Sequence, residues 1–214
     1  MGTTTHATRK PKPPHSLAEH RTFAELDLPF RRFSVKEYHD LIDAGILSES
    51  DRCELIHGWI INLMPPNPSH SQTTRLINRE FGNLLAASDW VIGIRDAITL
   101  SGSETMPDMF IAIGPESKYR NRHPEPDDLV LVVEVSNTSL GVDRTVKLAL
   151  YAAEGIPQYW IIDVKARRIE VYTQPRGGKK PGFKKKVVYA KDVDVPIAIG
   201  EKHLGAISVA KLLP

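Results

Sequence analysis

The sequence predicts an α/β fold with a mixed central sheet flanked by helices, and three stretches carry that reading. Residues 90 to 113 contain two strand-like runs, Trp90 to Leu100 and Pro107 to Ile113, separated by the polar turn Ser101 to Glu104, which reads as an antiparallel hairpin. Leu129 to Val135 (LVLVVEV) is an almost unbroken apolar run, the pattern of a central strand covered on both faces. A helical stretch from about Val142 to Glu154, closed by Gly155 and Pro157, then leads into the strand QYWIIDV. Strand, helix and strand in that order imply a parallel crossover, so meander and crossover together give a mixed sheet.

The remaining elements follow in order. Residues 1 to 22 are rich in Thr, Lys, Pro and His without apolar periodicity, which predicts a flexible tail ahead of one domain over 23 to 214. Ser34 is placed to cap an additional N-terminal helix. Glu37 stands three residues on, Val35, Tyr38, Leu41 and Ile42 fall at helical spacing, and Gly45 ends the run. Cys53 to Leu63 reads as a strand or tight hairpin around Gly58, ended by three prolines. A helix from about Ser69 carries Thr73, Leu76, Ile77, Phe81, Leu84 and Leu85 as one stripe. After the crossover, IEVYT and KKVVYA form a C-terminal β-hairpin across Gly177 and Gly178, followed by a last short strand or helix.

Composition narrows the partners only modestly. A formal charge of +2 permits a polyanionic partner without demanding one. The lone cysteine, Cys53, rules out an intrachain disulfide framework and suggests a reducing, cytoplasmic setting. No stretch approaches the roughly 18 to 20 apolar residues that a membrane-spanning helix needs, so no membrane association is expected.

Two carboxylates stand out. Asp108 follows Pro107 at the opening of one strand, and Glu134 lies near the end of the next, so neighbouring strands could aim both at one point. Glu134 is the more telling, because a carboxylate in LVLVVEV must be neutralised, paired with a cation or bound to a metal. Together with a backbone carbonyl, that of Val135, and a substrate phosphate, the pair would suit Mg²⁺ or Mn²⁺. The competing readings are a strand-capping role for Asp108 and a structural salt bridge for Glu134.

In order along the chain, FSVKEYHDLIDAGIL, CELIHGWI followed by PPNPSH, MPDMFIAI, LVVEVSNTS, the D-x-x-x-K-x-x-x-Y pattern of Asp143, Lys147 and Tyr151, and GIPQYWIID resemble the Uma family of restriction-endonuclease homologues, once a domain of unknown function, within the PD-(D/E)xK nucleases. The resemblance implies a restriction-endonuclease-like αβββαβ core, a metal held by Asp108 and Glu134, and DNA as substrate. It also implies a lysine assisting the attacking water. The superfamily pattern puts that lysine two places after the glutamate, where this chain has Ser136. Lys147, where the family pattern has a lysine, is the substitute, against the alternative of a helical ion pair with Asp143 four residues earlier.

By the same resemblance Glu54 would hold a second metal or orient water, and His70 would touch substrate or back up the acidic cluster. Either could instead be an ordinary exposed side chain. Lys184 and Lys185, in the basic run of the last hairpin, could grip phosphates or simply be solvated. Tyr151, Tyr159 and Trp160 are expected in the core. Cutting both strands of DNA would ask for a homodimer. An inert nucleic-acid-binding module on the same scaffold is the second reading, motivated by Ser136.

Overall fold

The apolar run LVLVVEVS becomes β7 (Leu129–Ser136), every residue of which is buried. It lies inside a six-stranded sheet with β3 (Trp90–Gly93), β6 (Met109–Ile113), β8 (Gln158–Asp163), β9 (Arg168–Arg176) and β10 (Gly182–Ala190). The spatial order is β10-β9-β8-β7-β6-β3. Strands β7 and β8 are parallel, while their neighbours pair antiparallel, so the sheet is mixed as expected. Parallel neighbours cannot be joined by a tight turn. Here the connection is α3 (Leu140–Val142), a π-helical turn (Asp143–Lys147) and α4 (Leu148–Ala153), ended by Gly155 at φ 75°.

The computed structural model describes residues 30–48, 50–86 and 89–214. Residues 32–214 make one compact unit, and residues 1–31 fall in another, of which only Phe30 and Arg31 are described. The tail expected over 1–22 lies outside the described residues. No described helix is long and apolar enough to cross a membrane.

Alternation along the strands gives the sheet two apolar faces. Met109, Ile111, Val133, Val135, Trp160 and Ile162 meet Ile77, Phe81 and Leu85 of α2 (Pro68–Leu85) on one face. Phe110, Val132, Tyr159 and Ile161 meet Leu150 and Tyr151 of α4 on the other. Each fully buried large side chain contributes on the order of 1.5–3 kcal/mol. The series α2, β3, β6, β7, crossover helix, β8 is the αβββαβ core. The additional N-terminal helix is α1 (Val35–Asp43), where Ser34 and Glu37 form the expected capping box.

Residues 90 to 113 do not form one hairpin. At Arg95, φ 51°, the chain turns out of the main sheet. It then builds β4 (Ile98–Leu100) and β5 (Ser103–Thr105), an antiparallel pair in a second sheet of order β2-β1-β5-β4, with β1 (Cys53–Ile56) and β2 (Trp59–Asn62). The split is favoured because Ile98 and Leu100 bury beside Ile56 over the crossover side of the core. The β1–β2 turn uses His57 and Gly58, both at positive φ, the two-residue hairpin geometry that glycine favours.

The C-terminal end is also richer than expected. Beyond the β9–β10 hairpin come β11 (Asp194–Ile199), β12 (Lys202–Ser208) and α5 (Val209–Leu212). They bury Val195, Ile197, Ile207, Val209 and Leu212 in the core that α2 covers. Pro196 and Gly205 interrupt their sequence pattern, yet a two-stranded ribbon tolerates both.

Candidate active site

Asp108 precedes the first residue of β6. Because Met109 pairs with Val133, one step outward sets Asp108 opposite Glu134. The Val135 N–H donates to Asp108 Oδ2 at 2.8 Å, and His70 Nε2 lies 2.7 Å from Oδ1. Asn67, the N-cap of α2, accepts from the His70 N–H and so fixes the first turn that carries this ring.

Glu134 Oε1 accepts from Lys147 Nζ at 2.8 Å and from the Tyr151 hydroxyl at 3.0 Å. Lys147 Nζ also donates to Glu54 Oε1 at 3.3 Å, and the same oxygen accepts the Met106 N–H at 2.7 Å. Glu54 comes from β1 of the small sheet, so both sheets and the crossover helix meet here. The four side chains are nearly dry, with relative exposures of 2% for Glu54, 8% for Asp108, 5% for Glu134 and 7% for Lys147. With His70 and Val135 they line a cleft of about 360 Å³.

The ion pair between Asp143 and Lys147 that helical spacing allowed does not form. Asp143 instead accepts from Ser136 Oγ and Ser139 Oγ, both at 2.6 Å. The π turn spans these residues and widens the helix there, and Lys147 and Tyr151, one turn further on, both reach Glu134. Ser136, where the superfamily pattern has its lysine, is thus a buried hydroxyl that satisfies a buried carboxylate.

Two participants were missed by sequence reasoning. Tyr151 is buried as expected of a core aromatic, but its hydroxyl is a ligand of Glu134; its spacing of four from Lys147 was the available signal. Asn137 donates to Asn67 Oδ1 at 2.9 Å and to Ser69 Oγ at 2.8 Å, tying the end of β7 to the start of α2. No local pattern marks it. Tyr159 and Trp160 are core residues, as expected. Lys184 and Lys185 are exposed on edge strand β10, three strands from β7 and outside the cleft lining.

Electrostatics favours keeping protons in this cluster. Burial pushes the Glu134 carboxyl up, Lys147 pulls it down, and Asp143, Asp108 and Glu54 push it up further, leaving it well above the ordinary range. Burial pushes Lys147 down, but Glu134, Tyr151 and Glu54 more than reverse this and hold its ammonium charged. The two directions compete, since a charged Lys147 favours an ionised Glu134. The lysine's is the firmer, because two carboxylates lie within its reach at 2.8 and 3.3 Å.

A hard cation fits the donor chemistry. Among the described residues Glu54 Oε2, which is buried, finds no hydrogen-bond partner, an acceptor left without the compensation that buried polar atoms ordinarily receive. Glu54, Asp108, Glu134 and Asp143 together bring four buried carboxylates to one ammonium and one imidazole, an excess of oxygen donors and negative charge. Among the described residues no three His, Cys, Asp or Glu side chains already form a coordination group.

A solved structure from Anabaena variabilis ATCC 29413, described as "a putative nuclease belonging to DUF820", has a similar fold: TM-score 0.62 at 19% identity, over 84% of this chain and 97% of that one. No curated protein matches. The family described as "Uma2: Putative restriction endonuclease" matches residues 35–189, most of the chain. The chain belongs to the Uma2 family.

Proposed function

We propose that this protein is a DNA endonuclease that hydrolyses phosphodiester bonds with a divalent cation, Mg²⁺ or Mn²⁺, held by Asp108, Glu134 and the Val135 carbonyl, with Glu54 beside them. The observation that carries the reading is the position of Lys147: its Nζ lies on Glu134 and Glu54, in the cleft that Asp108 also lines. A cation bound there supplies charge neutralisation at the phosphate and acidifies an attacking water.

The chain's own groups have distinct parts. Lys147 stays protonated, so it stabilises the negative charge that builds on the phosphoryl oxygens and does not act as a base. Tyr151 donates to Glu134 and holds the orientation of that carboxylate. His70 does the same for Asp108 and presents its ring to the cleft, where it can touch substrate. Lys184 and Lys185 would at most add backbone contacts remote from the chemistry. Cleavage of both strands would require two copies related by two-fold symmetry.

The reading is tested by incubating supercoiled, linear and single-stranded DNA with Mg²⁺ or Mn²⁺, comparing wild type with Glu134→Ala and Lys147→Ala. Cutting by wild type that needs the metal and is lost in both variants is expected. Absence of cutting by folded wild type on every substrate would replace the reading with a binding module that lacks catalysis.

A further inference from the structure

A second hollow of about 290 Å³ adjoins the cleft and shares His70 and Arg95 with it. Its floor is one face of α2: Ser71, Thr74, Arg75 and Asn78 recur at helical spacings of three and four. Arg95 closes the other side, from the turn after β3, and its backbone N–H donates to the Asp108 carbonyl at 3.3 Å. The hollow is thus coupled through the backbone to the strand that carries Asp108.

The charges in this hollow have no internal use. Arg79, the next arginine along α2, is paired with Glu80 at 2.9 Å. Among the described residues neither Arg75 nor Arg95 meets a carboxylate at ion-pair distance. Ser71, Arg75 and Asn78 on the floor can each donate a hydrogen bond, whereas Thr74 Oγ1 gives its proton to the His70 carbonyl at 3.1 Å, and among the described residues no acidic side chain lines the hollow. The adjoining cleft is the opposite, rich in buried carboxylates. A polyanion therefore finds its cations on the α2 side of the cleft.

We propose that this hollow is a phosphate track: Arg75 and Arg95, with Asn78 and Ser71, bind backbone phosphates of a DNA strand next to the phosphate held in the cleft. The proposal rests on the nuclease reading for the identity of the polyanion. It places the grip on the substrate on α2 and the β3–β4 turn, and not on the lysines of β10. Phosphate contacts of this kind position a strand without reading its sequence.

The test is DNA binding by the full chain in EDTA, where cutting plays no part, measured against salt for wild type, Arg75→Gln, Arg95→Gln and Arg79→Gln. Each lost phosphate contact lowers the slope of log K against log salt by about 0.9 for duplex DNA and about 0.7 for a single strand. Arg75→Gln and Arg95→Gln should each show such a drop, equal on unrelated sequences, with Arg79→Gln at the wild-type slope; duplex and single-stranded arms identify which form lies in the track. Melting curves establish that the variants are folded, and Arg75→Lys, keeping the charge, should retain most of the slope. Wild-type slopes in both variants, or no DNA binding by wild type, would overturn the track. Binding with the expected slopes but no metal-dependent cutting would keep the track and remove the nuclease reading.

Discussion

Lys147 donates to Glu134 across 2.8 Å, although Asp143, four residues earlier on the same helix, offered a local partner. The choice is explained by the serines. Ser136 and Ser139 satisfy Asp143, and the π turn carries the Lys147 ammonium to the end of β7. Breaking a buried pair by removing one partner costs about 3–5 kcal/mol, because the other charge is left without compensation. Lys147→Met should therefore lower stability by that order in urea unfolding. Adding Glu134→Gln should restore a large part of the loss, whereas adding Asp143→Asn should not. Equal recovery from the two additions would mean that Lys147 serves Asp143 as much as Glu134.

Glu170 predicts the acid limb of stability. Burial pushes its carboxyl up, but hydrogen bonds from Arg144, Tyr172 and Lys186 outweigh this and bring it to about 2. Tyr172 OH donates at 2.7 Å and Lys186 Nζ lies at 2.9 Å. A carboxylate lowered on folding binds fewer protons in the native state, so its contribution is complete above about 4.5 and is lost as pH falls toward 2. Asp128 adds in the same direction: burial raises it, and Arg122, the Glu125 N–H and Lys118 together hold it well below the carboxylate range. Urea midpoints measured from pH 6 to pH 2.5 should fall steeply below pH 4.5 in wild type. Glu170→Gln should start lower at pH 6 and show a shallower fall. A parallel pair of curves would remove Glu170 from the acid limb.

How much of this was legible follows from what each residue breaks locally. Glu134 was visible because a carboxylate in LVLVVEVS contradicts its surroundings, and Asp108 because a proline and a strand start set it at a sheet end. Lys147 was ambiguous, because helical spacing pointed it equally at Asp143, and nothing in DRTVK marks a π turn. Tyr151 looked like any buried aromatic, since burial of a ring says nothing about where its hydroxyl points. The mixed sheet with its parallel crossover was legible from periodicity, and the αβββαβ core from the family resemblance. The departure of β4 and β5 into a second sheet was not, because Arg95 turns the chain without a glycine or proline, and side-chain pattern alone does not say which sheet a strand joins.

Gly93 of β3 has the Phe110 ring of β6 packed directly against it. It pairs with Phe110, and a Cβ at Gly93 would lie 2.1 Å from the Phe110 ring. Phe110 is 1% exposed and sits in the core cluster with Ile98, Leu100 and Val132. Gly93→Ala should destabilise the protein by about 1–3 kcal/mol, the usual cost of overpacking. The expected readout is a lower urea midpoint with unchanged m-value, recovered in part by Phe110→Leu. An unchanged midpoint would show that the ring can swing aside.

The unpartnered Glu54 oxygen gives the most direct test of cation binding, independent of catalysis. A ligand that binds the native state alone stabilises it by RT ln(1 + [L]/Kd), about 2.7 kcal/mol at a hundredfold excess over Kd. Mn²⁺ should therefore raise the melting temperature of wild type in a concentration-dependent manner. Asp108→Asn removes a charged donor opposite Glu134 and should abolish most of the rise. Glu54→Gln is the sharper probe. Its amide oxygen can still accept the Met106 N–H, while an NH₂ replaces Oε2 and turns a buried acceptor into a donor, which repels a cation. The metal-free stability of this variant should change less than its response to Mn²⁺, which should shrink markedly. Identical Mn²⁺ shifts in all three proteins would locate the cation elsewhere and leave Glu54 as a structural partner of Lys147.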